Sequence, residues 1–160
     1  MANPTPLSRR PEPHLGETAT SKTQLVLEPS ELVQIREWCR SELLTHRFAL
    51  AAWLILETGM RRGEALGVCY TDVDFDAMTV TVWRQITKQT GEPPEFGPPK
   101  TSAEARTISL SEDLLAAIQR RWNSRTVIGM DQLLSCDPDG SAMNPNRLTG
   151  PHDSGGHGRQ

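Results

Sequence analysis

Residues 57–64, ETGMRRGE, place two arginines and a glutamate directly behind an apolar run. Arg61 and Glu64 are three positions apart, so a helix would put both side chains on one face. A glutamate that grips a guanidinium orients its fork and leaves other N–H groups to bind a phosphate through two parallel hydrogen bonds. The same spacing also fits a plain surface ion pair worth about 0.3 kcal/mol. Spacing alone favours the surface pair.

Two further cations have the chemistry to act on a phosphate. Lys100 closes the Gly- and Pro-rich segment 88–100, where a lysine could protonate a leaving group or contact a phosphate. Arg106 alternates with apolar residues, as in a strand, and could pair with an acid or a phosphate. Each also has an ordinary interpretation: a solvated loop lysine, and an arginine whose stem covers apolar surface at a sheet edge. Taken singly, both residues fit the ordinary interpretation better.

The elements before Arg61 predict a rigid support for it. Pro29 is well placed as a first helical residue, and apolar residues at helical spacing predict an amphipathic helix over 29–44. These apolar residues are Leu32, Ile35, Cys39 and Leu43. The next segment, RFALAAWLILETG, is apolar on all sides and therefore predicts a buried helix. Gly59 fits the left-handed position that ends such a helix, and a short helix over 61–68 should follow.

The elements after Arg61 predict a small sheet and a last helix. Alternating residues over 79–86 and 105–110 indicate strands, and the Gly- and Pro-rich segment 88–100 between them indicates a loop. Ser111 is a natural N-cap for a helix over 112–125. Its predicted buried face is formed by Leu114, Leu115, Ile118 and Trp122. The expected fold is α+β, mainly helical with a small antiparallel β-sheet and helices packed to one side.

The composition sets the class of protein. The chain has 160 residues and a net charge of −3, so total charge does not support nucleic-acid binding, although a local basic face remains compatible with it. Three cysteines make a disulfide framework unexpected, and Cys39 and Cys69 read as buried thiols. The scattered histidines predict no metal site, and no apolar run approaches the roughly 20 residues of a membrane span. We expect a cytoplasmic protein with no membrane partner.

The chain divides into three parts. Residues 1–24 are rich in Pro, Thr and Ser and predict a disordered arm or linker. Residues 25–149 carry the periodic patterns of one domain. Residues 150–160 lack core-forming side chains and predict a disordered tail.

The ordered series of motifs resembles the catalytic domain of the tyrosine recombinases, also called phage-type integrases. Residues 58–64 (TGMRRGE) match the family's Thr-Gly-x-Arg-x-x-Glu motif, and residues 70–74 (YTDVD) match its aromatic-x-Asp-x-Asp turn. Residues 99–101 (PKT) match the end of the loop between its strands, and residues 106–110 (RTISL) match the strand that follows. The resemblance covers about residues 25–149.

This resemblance implies a chemistry. The family breaks and rejoins one DNA strand at a time through a covalent phosphotyrosine link, with arginines that stabilise charge on the phosphate and a lysine that protonates the leaving 5′ oxygen. By motif match, Arg61 and Lys100 are catalytic, Glu64 supports the arginine, and Gly59 and Arg106 are structural. The implied partners are double-stranded DNA and other recombinase protomers, with no cofactor and no metal.

Two family features have no counterpart in the sequence. The His-x-x-Arg motif is missing, and the single tyrosine, Tyr70, occupies the place of a structural aromatic rather than of the nucleophile. We therefore expect the N-terminal half of a recombinase catalytic domain, shortened by truncation or frameshift and inactive on its own. A non-catalytic DNA-binding or regulatory module is the alternative. A third is a chain whose uncovered apolar faces prevent stable folding.

Overall fold

The computed structural model describes residues 26–88, 91–99, 105–129 and 132–149. In this part of the chain the helices are α1 (Pro29–Ser41), α2 (Ala49–Thr58), α3 (Arg62–Gly67) and α4 (Glu112–Asn123), with 3-10 turns at Tyr70–Asp72 and Pro145–Thr149. The predicted arm (1–24) and tail (150–160) lie outside the described residues.

Helix α1 begins as predicted but ends early. Pro29 is its first residue, and the Glu28 backbone N–H donates to the Glu31 carboxylate at 2.8 Å. The helix stops at Ser41 instead of reaching residue 44. Leu32 is 37% exposed, Ile35 is partly buried against the core and Cys39 is fully buried, so the predicted apolar face reaches the core from Ile35 onward.

Helix α2 is the buried helix that the apolar run predicts. Trp53 and Leu54 are almost fully buried. The helix ends at Gly59, whose φ of +69° is left-handed, a conformation that glycine adopts without steric cost. This ending turns the chain and starts α3 soon after α2, which confirms the predicted helix end at Gly59.

Five short strands form two antiparallel sheets in the described residues. A three-stranded sheet has the order β1-β2-β5, and a two-stranded sheet pairs β3 with β4. The strands are β1 Val73–Asp74, β2 Thr79–Val82, β3 Gln85–Thr87, β4 Glu95–Gly97 and β5 Arg106–Ser109. The register places Val80 opposite Ile108 in the first sheet, and Ile86 opposite Phe96 in the second.

Two predictions for this region are wrong. The single strand expected over 79–86 is broken between β2 and β3, and the segment expected to be entirely loop contains β4. Asp72 holds the break, because it accepts the Trp83 indole N–H at 2.9 Å and an Arg84 guanidinium N–H at 2.8 Å. The chain then leaves β5 and pairs with β4 instead.

Helix α4 closes the main core. The Ser111 hydroxyl accepts the Leu114 N–H at 3.2 Å, the predicted N-cap, and Leu114 and Ile118 are fully buried. Trp122 is only partly buried and stacks on Tyr70 with ring centroids 4.2 Å apart. A second apolar cluster joins α2, α3 and β3 to the segment before the last 3-10 turn; its members include Phe48, Leu66, Ile86 and Met143.

The cysteines are buried free thiols. Cys39 is fully buried, Cys69 is 2% exposed and Cys136 is 9% exposed, as predicted for the first two. Burial raises the pKa of the Cys39 thiol to about 11. Among the described residues, every helix is too short or too polar to traverse a lipid bilayer.

Candidate phosphate-binding groove

Arg61 is positioned by the end of the buried helix. The Thr58 hydroxyl accepts the Met60 N–H at 3.2 Å, and Met60 is only 2% exposed. The residues on both sides of the turn are thus anchored in the core, while Arg61 itself is exposed. An exposed cation on a fixed backbone suits the binding of an anion that arrives from solvent.

Arg61 lines an open groove of about 610 Å³ together with two other cations, Arg62 and Lys88. Its walls are the start of α3, the strand β3, and the 3-10 turn at Pro145–Thr149. In the described part of the chain, the lining contains no carboxylate. A groove whose described charged residues are all cations, on a chain with a net charge of −3, is a local site of positive potential that attracts anions.

Glu64 is the buried acid behind this groove. It is 1% exposed and accepts the Arg61 backbone N–H at 2.9 Å. The Arg106 guanidinium grips the same carboxylate with two hydrogen bonds, of 2.9 and 2.6 Å. This partner from β5 is one that the i,i+3 spacing does not reveal. The carboxylate therefore ties the first residues of α3 to the strand that follows the segment containing Lys100.

The pair is charged because each side stabilises the ionised form of the other. The Arg106 hydrogen bonds, with a smaller contribution from the Arg61 N–H, hold the pKa of Glu64 below its ordinary value despite burial. The Glu64 hydrogen bond raises the pKa of Arg106 in turn. A buried carboxylate is stable in this position only while the guanidinium stays with it.

The close approach of α3 and β3 forms the groove. A Cβ at Gly63 would lie 2.5 Å from the Ile86 carbonyl oxygen, closer than real contacts allow. Glycine at this position lets the helix lie directly against the strand backbone. The cations of α3 and Lys88, the residue after β3, are thereby held on one groove.

The structure describes all of the predicted site residues except Lys100. Arg61 lies on the groove, Glu64 and Arg106 are brought into contact, and Gly59 ends α2, while Lys100 lies outside the described residues. The catalytic, supporting and structural roles assigned to them stay predictions.

Sequence reasoning missed the other two cations of the groove. Arg62 reads as a solvated neighbour of Arg61, and Lys88 reads as the start of a loop. A signal existed in the glycine one residue after Arg62, since glycine inside a short helix often marks a close backbone contact.

Tyr70 has a structural environment. Its hydroxyl donates to the Gln119 side-chain oxygen at 3.1 Å, and its ring packs on Trp122 and, at 5.4 Å, on Phe75. It is not among the residues that line the groove.

A second basic hollow, of about 410 Å³, lies between the α1–α2 connection and the end of α4. Its arginines are committed to the fold. Arg121 donates to the carbonyls of Leu43 and Leu44, and Arg47 pairs with Asp137 at 3.1 Å. Arg125 donates to the carbonyls of residues 133 and 134. Because a carboxylate lies inside this hollow, it is a poorer anion site than the groove of Arg61.

The described residues contain no group of three or more His, Cys, Asp or Glu placed to hold a metal ion.

Comparisons with known proteins agree on one family. Residues 26–148 match the model of the phage integrase family. A segment of 65 residues is 35% identical to the prophage integrase IntR of Escherichia coli strain K12. This segment covers 41% of this chain and 15% of that protein.

Solved structures share the fold at low identity. The Tn1549 transposon integrase in complex with transposon right end DNA superimposes with a TM-score of 0.64 at 23% identity, over 80% of this chain and 45% of that one. The XerA recombinase superimposes with a TM-score of 0.59 at 15% identity, over 78% of this chain and 39% of that one. The chain thus spans less than half the length of each of these relatives.

Proposed function

Because this chain belongs to the phage integrase family and covers part of its catalytic domain, we propose that its groove binds the phosphate backbone of double-stranded DNA at a recombination site, with Arg61 as the contact to the reacting phosphate. The observation that supports this most is the placement of Arg61. It is exposed on a groove whose described charged residues are all cations, and its backbone is held by a buried carboxylate. The proposed partner also fits the predicted cytoplasmic location.

The Arg61 guanidinium would serve the reaction by charge. A phosphate under attack carries negative charge on its equatorial oxygens, and a fork of two N–H donors stabilises that charge most when its geometry is fixed in advance. Glu64 fixes the backbone of Arg61, and Arg106 neutralises Glu64, so the acid does not cancel the positive potential of the groove. Lys100 is proposed as the proton donor to the leaving oxygen, on the segment that leads into β5.

In our proposal, this chain does not provide the nucleophile of the reaction. Tyr70 is the single tyrosine of the sequence, and its hydroxyl and ring are engaged away from the groove. The chain alone would therefore bind the substrate and leave it uncleaved.

Binding can be measured by fluorescence anisotropy with a labelled duplex at low salt. We expect the wild-type chain to bind, Arg61→Gln to bind markedly less tightly, and Tyr70→Phe to bind like the wild type. Failure of the wild type to bind, or equal binding by Arg61→Gln, would contradict the proposal.

Cleavage is tested separately with a duplex whose nicked strand traps a covalent adduct. We expect no protein–DNA adduct from this chain alone. An adduct that survives denaturation would show that the chain carries a working nucleophile and would overturn the proposed division of roles.

A non-catalytic regulatory module is the second candidate, and the same two observations support it: a cationic groove and a tyrosine that is engaged elsewhere. Such a module would occupy a recombination site and exclude an active enzyme. Addition of this chain to a recombination reaction of an intact relative tests the regulatory role. Inhibition in proportion to the occupancy of the DNA would support it, and an unchanged rate at full occupancy would contradict it.

A further inference from the structure

We propose that the groove binds two phosphates of one DNA strand, one at Arg61 and the neighbouring one at Lys88 with Arg62. This inference rests on the proposed function, since it takes Arg61 as a contact to DNA. It adds two contact residues and a second binding position.

Lys88 lines the groove from a different part of the fold than the start of α3. It directly follows the last residue of β3, is exposed, and lines the same groove as Arg61 and Arg62. It comes from a different element, so its charge extends the groove instead of duplicating that of Arg61.

The strand that ends just before Lys88 is held by two elements, β4 and α3. Ile86 is 1% exposed in the second apolar cluster and pairs with Phe96 in β4. The Ile86 carbonyl also lies against Gly63, which fixes β3 relative to α3. The backbone that leads to the lysine is therefore fixed while its side chain is flexible, which suits a point-charge contact to a phosphate.

Arg62 is directed to the same groove by the last 3-10 turn. Its guanidinium donates to the Pro145 carbonyl oxygen at 3.4 Å, and Pro145 and Asn146 form that side of the groove. This hydrogen bond holds the guanidinium, and with it a positive charge, at the wall of the groove.

The charge pattern selects the ligand class. The nearby carboxylates of the hairpin, Glu92 and Glu95, line an adjoining hollow that shares Thr87 with the groove. The groove itself holds three cations and, in its described lining, no acid. A volume of about 610 Å³ leaves room for more than one small anion. A nucleic-acid strand supplies consecutive phosphates, which suits cations that line one groove from two different elements.

The test is the salt dependence of binding to a labelled duplex. Each phosphate contact contributes a slope of about −0.9 in log K against log salt. We expect Lys88→Gln to reduce the magnitude of the slope by about 0.9, and Lys88→Arg to retain the wild-type slope. Arg120→Gln, which removes the same charge from an exposed position on α4, is the matched control and should leave the slope unchanged.

The double variant separates two phosphates from one. If Arg61 and Lys88 contact different phosphates, the slope losses of Arg61→Gln and Lys88→Gln add in the double variant. A double variant with the slope of Arg61→Gln alone would mean a shared phosphate and overturn this inference. So would a Lys88→Gln variant that behaves like Arg120→Gln while Arg61→Gln loses binding, an outcome that leaves the proposed function intact. A wild-type chain that binds no duplex would overturn both.

Discussion

Glu64 accepts hydrogen bonds from two segments at once, the Arg61 backbone on α3 and the Arg106 guanidinium on β5. The carboxylate is 1% exposed, whereas the Arg106 side chain is 39% exposed. Removal of the arginine would leave a charged oxygen pair in the core with little access to water. Glu64, which the sequence motifs predict to support Arg61, is therefore also one half of a structural ion pair with Arg106.

Arg106→Ala should destabilise the fold by about 2 kcal/mol, between the values for exposed and for buried pairs. Arg36→Ala is the control, because Arg36 is equally exposed and both of its partners, Asp113 and Glu57, are more accessible than Glu64; its loss should stay below about 1 kcal/mol. Urea denaturation followed by tryptophan fluorescence measures both. Equal losses would show that the burial of Glu64 does not matter.

The same pair predicts how stability depends on pH. The folded protein holds the pKa of Glu64 below its ordinary value, chiefly through Arg106. The contribution is complete above the unfolded pKa of about 4.3, and it is lost as the pH falls through the folded pKa, since the unfolded chain binds the proton first. Denaturation midpoints between neutral and acid pH should therefore fall less steeply for Glu64→Gln than for the wild type. Parallel curves would contradict the assignment.

At the scale of elements, α3 and β3 form the groove because no side chain separates them at Gly63. The neighbouring contact at Gly67 is looser, with a Cβ position 3.3 Å from the Gln85 Cα. The two glycines of one short helix thus differ in how much space they leave.

Gly63→Ala should destabilise the protein by about 2 kcal/mol from overpacking, even though alanine favours a helix by about 1 kcal/mol over glycine. Gly67→Ala in the same helix should cost much less, because the contact can relax by a few tenths of an ångström. Thermal melting compares the two. A Gly63→Ala variant as stable as Gly67→Ala would mean that α3 can move away from β3 freely.

Local signals explain which elements the sequence predicts. The left-handed Gly59 and the N-cap Ser111 depend on neighbouring residues, and both are as predicted. The break between β2 and β3 depends on Asp72, which is 11 and 12 residues from its partners, and the alternation of apolar residues continues through it. The alternation of apolar residues alone cannot locate such a break, because it does not indicate which strand each segment pairs with.

At the scale of the whole molecule, the motifs predict the fold class and the place of Arg61, whereas the groove itself is a tertiary feature. Glu64 and Arg106 are 42 residues apart, and the groove adds Pro145 from a segment farther along the chain. No spacing rule joins these positions. The acidic total charge of the sequence also conceals the cationic groove, because charge counts do not record location.

The thiols report whether the whole core is formed. Cys39 is fully buried with a pKa of about 11, and the thiolate is the reactive form. The native protein at pH 8 should therefore resist iodoacetamide at Cys39, with Cys136, at 9% exposure, the fastest of the three to react. Mass spectrometry after timed labelling checks this, with denatured protein as the fully labelled control. Rapid native labelling of Cys39 would indicate that the core is not closed.

The bridge between Glu64 and Arg106 also constrains how this sequence can change over generations. A substitution that removes only the cation leaves the acid buried without a partner, and one that removes only the acid leaves the N-terminal residues of α3 without their acceptor. Either intermediate is less stable than both end states. In related chains the two positions should therefore be inherited as a unit: kept together, or replaced together by an uncharged pair of similar volume.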